Sequence, residues 1–223
     1  MWSWYATRID ELKPIDYVVA NGDLIDGKQR RSGSAEARTA DRNEQCRMAA
    51  ACIDYCGARQ AGLIHGTAYH DGQEEDWAHV VAAFMQTPTM FISGQEFFKL
   101  DGKIWDFKHK VGGSTIPHGE ATAILRATLW NLIWHNRKGQ QPKADYVVRS
   151  HRHSYISVWS SAMDAECFVT PALQGYGSKF GVREVDKTAD IGFLYFDVFD
   201  NGDVQWQPVL ANLESQTARV TSR

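Results

Sequence analysis

Tyr17-Val18-Val19-Ala20-Asn21-Gly22-Asp23-Leu24-Ile25-Asp26-Gly27 is the stretch whose reading decides the fold. It opens on a short apolar run of strand length. Such a run, bounded by turn residues, reads as a strand buried on both faces. It stops on Asn-Gly-Asp, so a carboxylate stands at the carboxyl end of that strand. The pattern recurs. Leu63-Ile64 runs into His65-Gly66-Thr67-Ala68-Tyr69-His70-Asp71-Gly72, and Tyr146-Val147-Val148 runs into Arg149-Ser150-His151-Arg152-His153. Glu96 to Leu100 and Lys103 to His109 flank Asp101-Gly102, which suits a type I′ hairpin turn, so a fourth strand ends in His109. In open α/β sheets, ligands bind at the carboxyl ends of strands. Asp and His there suit Zn, Mn or Fe, and a carboxylate can bridge two ions. A bridged pair, ~3.5–4 Å apart, can clamp the attacking and leaving oxygens of a phosphoryl group.

Helices are expected between these runs. Trp2 to Leu12 places Trp4, Tyr5, Ile9 and Leu12 at helical spacing, and Pro14 stops it. A second helix follows the polar Lys28 to Arg47 stretch and runs through about Cys56. Glu74 to Met85 is a third, and Glu120 to Asn136, carrying Ile124, Leu125, Leu129, Leu132 and Ile133, is a fourth. The remainder reads as strands at Tyr155 to Trp159, Phe168 to Thr170, Gly192 to Phe199 and Val204 to Val209. With no repeat and no linker, residues 1–223 are expected to form one α/β domain.

Composition sets limits. The 223 residues are 43% hydrophobic and 23% charged, which excludes a disordered or fibrous chain. A net charge of −3 excludes a polyanion binder of the basic type. No apolar run nears the ~18 residues of a membrane span, and the first residues lack a signal-peptide layout, so a cytoplasmic protein is expected. Cys46, Cys52, Cys56 and Cys167 include no Cys-x2-Cys pair and read as reduced core residues. Most tryptophans are expected in the core.

The ordered set of strand ends resembles the calcineurin-like metallophosphoesterases, particularly the small forms of phages and prophages. That family carries, in order, Asp-x-His, Gly-Asp-x-x-(Asp), Gly-Asn-His-(Asp/Glu), a lone His, and Gly-His-x-His. Gly22-Asp23-Leu24-Ile25-Asp26-Gly27 matches the second block. Gly66-Thr67-Ala68-Tyr69-His70-Asp71 occupies the third in altered form, His109 the fourth, and Ser150-His151-Arg152-His153 the fifth. The resemblance implies a metallophosphoesterase-like sandwich of two mixed β-sheets flanked by helices. No Asp-x-His precedes Gly22-Asp23, so the first strand is expected to be missing and the chain N-terminally truncated relative to the family. For one divalent ion it implies Asp23, His109 and His151, with Thr67 in the place of Asn. For the other it leaves Asp23 and His153. The implied cofactors are one or two ions of Mn, Zn, Fe or Mg. The implied activity is hydrolysis of a phosphomonoester or phosphodiester, nucleic acid and nucleotides included, by a metal-activated water. Asp23 and His70 would be catalytic, His70 being either a metal ligand or the acid that protonates the leaving oxygen. The alternative is a catalytically inactive protein of this fold that serves as a binding or assembly module. A sheet edge left open by the missing strand would suit pairing with a second copy.

Other candidates read more plainly. Asp71 is expected to orient His70 or cap the following helix, and Asp26 to stabilise its own loop. His65 reads as a core or supporting residue; His79, His118 and His135 read as surface or packing residues. Lys28, Arg30, Arg31, Arg38, Arg42 and Arg47 could attract a phosphate, but interspersed acids favour a solvated face.

Overall fold

The computed structural model describes residues 1–28, 37–71, 76–114, 116–137, 139–174 and 189–212. In α1 (Trp2–Leu12), Tyr5 and Ile9 lie one turn apart and are buried with Cys56 and Ala58. β1 (Tyr17–Asn21) follows. α2 (Arg42–Tyr55) starts at Asp41, whose carboxylate accepts from the N–H groups of Asn43 and Glu44. Those amides have no partner within the helix, which is why Asp favours this position. β2 (Gln60–Ile64), the short α3 (Ala68–Asp71), α4 (Trp77–Phe84) and β3 (Thr89–Ser93) come next. β4 (Glu96–Leu100) and β5 (Lys103–Phe107) form the expected hairpin. Both residues of its turn have positive φ, Asp101 at 45° and Gly102 at 81°, as a type I′ turn requires. A 3-10 turn (Pro117–Gly119) leads into α5 (Thr122–Asn136). The chain then runs through β6 (Tyr146–Arg149), β7 (Ile156–Ser160), β8 (Ala165–Val169), β9 (Gly192–Val198) and β10 (Val204–Leu210).

Two sheets face each other. One has the order β1-β2-β3 and is parallel over its described strands. The other, β4-β5-β6-β8-β7, is mixed: β5, β6 and β8 run parallel, with an antiparallel strand at each edge. Ile64 from the first sheet and Trp105, Phe107, Val148 and Phe168 from the second are buried together. Leu194, Phe196 and Val198 of the antiparallel β9–β10 pair pack on them. Helices cover the outer faces: α2 and α4 bury Cys46, Ala50, Ile53 and Val81 with Ala61 and Leu63, and α5 buries Ala123 and Ile124 with Val147, Cys167 and Val169. The fold class is therefore the expected α/β sandwich, its mixed character residing in the second sheet.

Several local expectations need correction. β1 is covered on both faces as expected, Val18 and Ala20 on the helix side and Val19 toward the second sheet, but it is only half-buried and Tyr17 is exposed, because among the described strands it pairs with β2 alone and its other edge is open. α5 turns Ala123, Ile124, Thr128 and Asn131 inward, leaving Leu129 and Ile133 in solvent. Polar bonds select that face: Thr128 contacts Ile124 O and Cys167 Sγ, and Asn131 accepts from Ala144 N and donates to Pro142 O. The tryptophans are not mostly core. Trp105 is 3% exposed, whereas Trp2, Trp130, Trp134, Trp159 and Trp206 are exposed, at 39–58%. The cysteines are free; Cys46, Cys56 and Cys167 are buried and Cys52 is half-buried. Arg30 and Arg31 lie outside the described residues. Arg42 and Arg47 lie over the rings of Trp77 and Phe84, at 4.3 and 4.6 Å, and so help clasp α2 to α4. No helix among the described residues is long and apolar enough to cross a membrane.

Candidate metal centre

Four strand ends meet at one place. Parallel pairing sets Asn21 beside Ile64 and Phe107 beside Val148, so the segments that follow emerge on the same side of each sheet. After β1 the chain turns through Gly22 to Asp23. The Asp23 carboxylate is held from one side by Thr67: Oδ1 accepts from Thr67 N at 2.6 Å and from its hydroxyl at 3.0 Å. Oδ2 faces imidazoles, with His109 Nε2 at 2.8 Å and His70 Nε2 and His151 Nδ1 each at 3.8 Å. One ligand atom from each of Asp23, His109 and His151 can be chosen so that all lie within 4.8 Å of one another.

Hydrogen bonding fixes what these rings present. His109 Nδ1 lies 2.7 Å from the Asn21 carbonyl oxygen, and His70 Nδ1 lies 3.0 Å from that of Asp26. A carbonyl only accepts, so both Nδ1 atoms carry hydrogen and both Nε2 atoms turn toward Asp23. A bare lone pair 2.8 Å from a carboxylate oxygen is repelled; a proton or a metal ion must lie between. His109 Nε2 is buried and, close as it is, makes no aligned hydrogen bond. Burial pushes the Asp23 pKa up, but His109 and His151, and more weakly His70, hold it well below the usual carboxylate range. Burial pushes His109 down, and its contact with Asp23 more than reverses this, so His109 is raised. This donor set, His109 and His70 anchored through their other ring N–H, His151 and one carboxylate, fits a divalent cation.

The remaining candidates are placed around it. The hydroxyl of Thr67 is committed as a donor to Asp23, leaving only its lone pairs for any other partner. His153 is lowered chiefly by burial, and it feels the charges of Asp23, His70, His151 and His109. Asp71 does not cap α4, whose N-cap is Asp76; its carboxylate accepts from Gly66 N at 2.7 Å. The carbonyl of Asp26, rather than Asp71, takes the His70 ring hydrogen. His65 is no core residue: its side chain is 35% exposed and paired with Asp76. The sequence assigns no role to Asn21 or Ser150, although both stand in the strand-end motifs. Asn21 supplies the carbonyl that anchors His109, and its amide donates to Ser150 Oγ at 2.8 Å. The signal available was an amide residue directly before Gly-Asp at a strand end.

Backbone conformation completes the centre. Asp23, His151 and His153 have φ of 50°, 75° and 54°, left-handed values that cost ~1–3 kcal/mol each and cluster at functional sites. A Cβ on Gly66 would lie 2.4 Å from both Asp23 N and Asp23 Oδ1. Gly66→Ala is thus expected to displace the Asp23 carboxylate and weaken Mn binding by ~10–100-fold, as losing a supporting contact does. Calorimetric titration checks this; wild-type affinity in a folded variant would show that the close approach is dispensable.

No protein-family model matches the chain, and no curated protein matches it. Among solved structures it is similar to a single-residue mutant of Vps29 from Entamoeba histolytica, at 15% identity and TM-score 0.46 over 92% of this chain and 89% of that one. Wild-type Vps29 of the same organism, complexed with Zn2+, matches at 10% identity and TM-score 0.39 over 86% of this chain and 97% of that one. Thermotoga maritima protein TM1076 matches at 10% identity and TM-score 0.32 over 69% and 82%. A likeness at this level concerns the path of the chain and carries no activity with it.

Proposed function

We propose that the protein is a metal-dependent phosphoesterase acting on a phosphomonoester or phosphodiester. The observation that carries this reading is the convergence of three imidazoles on one carboxylate oxygen, Asp23 Oδ2. Asp23, His109 and His151 hold the ion, and His70 supplies the fourth donor atom. When bound, a divalent cation polarises a phosphoryl oxygen and lowers the pKa of a water molecule. The chain's own residues do the rest. Thr67 locks one oxygen of Asp23 so that the other stays aimed at the rings. The carbonyls of Asn21 and Asp26 fix the His109 and His70 tautomers. His153, which burial makes harder to protonate, is two residues beyond His151 and would contact the substrate or a second ion.

The test uses the purified chain stripped with a chelator and assayed on aryl phosphomonoesters and phosphodiesters before and after Mn is restored. Release of the phenol is expected to depend on Mn. A Mn-loaded protein no faster than buffer overturns the proposal and leaves the binding-module alternative.

A further inference from the structure

A second group of metal-capable side chains lies outside this centre. His65 leaves β2 directly before the Gly66–Thr67 segment, Asp76 is the N-cap of α4, and His79 stands in the first turn of that helix. His65 Nδ1 is 3.2 Å from Asp76 Oδ1, His79 Nδ1 contacts Oδ2 of the same carboxylate, and the two rings are 6.0 Å apart. One ligand atom from each residue can be chosen with all three within 4.8 Å of one another. We propose that His65, Asp76 and His79 form a second site for a divalent transition-metal ion, a clip between the end of β2 and the start of α4.

Capping does not account for the arrangement. The cap is a bond from His79 N to Asp76 Oδ1 at 3.4 Å, and it needs neither imidazole. Yet rings from two separate elements turn their Nδ1 atoms to the two oxygens of one carboxylate. Two imidazoles with a single carboxylate favour Zn, Co, Ni or Cu over Mg and Ca, which want oxygen ligands. The positive end of the α4 dipole opposes a cation, and the Asp76 charge offsets it. The side chains are 35%, 46% and 60% exposed, so coordination positions stay open to water and the ion exchanges rather than being sealed in. The clip joins the end of β2 to the start of α4, so an ion bound there raises stability through linkage.

The experiment is a Zn titration of the full chain followed by long-range 15N NMR of the histidine rings. The His65 and His79 nitrogens are expected to shift on loading, and to do so equally in Asp23→Asn, where the first centre is disabled. Asp76→Asn keeps a capping side chain while removing the charge, and is expected to weaken Zn at the clip at least ~10-fold and to retain fewer ions per chain than wild type after dialysis. His65 and His79 signals that stay unmoved while Zn saturates the protein overturn the proposal. So does an Asp76→Asn variant that binds Zn in the same number and with the same affinity as wild type.

Discussion

Asp23→Asn is expected to lower kcat/KM for an aryl phosphodiester at least ~1,000-fold, about 4 kcal/mol of barrier, while the protein stays folded. The asymmetry follows from the two oxygens of the side chain. Oδ1 accepts from Thr67 N and Oγ1, and an asparagine carbonyl oxygen accepts both equally well. Oδ2 faces His109 Nε2 at 2.8 Å, and an amide NH2 placed there donates to the imidazole lone pair. The variant thus keeps both Thr67 bonds and removes the charge clash at His109 without a cation. What disappears is the negative charge on which His109, His151 and His70 converge, and with it the anionic ligand. Steady-state assays at saturating Mn, with circular dichroism to confirm folding, read the effect. Near-wild-type turnover in the variant would place the chemistry elsewhere.

Arg149→Met is expected to destabilise the fold by about 3–5 kcal/mol, the range for removing one partner of a buried ion pair. Arg149 is 3% exposed and Asp106 is wholly buried. Arg149 Nη2 lies 2.5 Å from Asp106 Oδ2, and Nη1 donates to Asp106 O at 2.7 Å and Val148 O at 2.9 Å. Without the guanidinium, the Asp106 carboxylate keeps, among the described residues, the Gln95 amide at 2.8 Å on Oδ1. A urea transition moved to a lower midpoint at unchanged slope reads the loss. Adding Asp106→Leu is expected to recover most of it, because an apolar pair of similar volume leaves no buried charge. A loss below about 1 kcal/mol in Arg149→Met would show that water reaches Asp106. The pair ties β5 to β6, the strands that deliver His109 and His151, so it also holds two of the metal donors in register.

Ile104 and Asp106 alternate with Trp105 and Phe107 along β5, so Asp106 stands on the face opposite those two rings. That face is the outer one, shared with Val147 of β6, and Asp106 is nonetheless fully buried there because Arg149 from the neighbouring strand reaches back to pair with it. The apolar residues of α5 offered a different difficulty. With Ile124, Leu125, Leu129, Trp130, Ile133 and Trp134 all round the helix, periodicity could not choose the inner face; the bonds of Thr128 and Asn131 chose it. His65, expected as a core or supporting residue, stands instead beside Asp76 and His79.

By itself the sequence determined the strand ends: short apolar runs, the turns that stop them, and Asp23, His70, His109 and His151 at or just beyond the stops. Those are local properties of neighbouring residues, so no partner is needed to read them. Tertiary structure alone decided that the imidazoles share one oxygen of Asp23, that backbone carbonyls of Asn21 and Asp26 set the tautomers of His109 and His70, and that a second His–Asp–His group exists at the head of α4. Each of these depends on which groups far apart in the chain come within hydrogen-bond reach, and on the charge one places beside another. Only packing of the sheets and helices settles that.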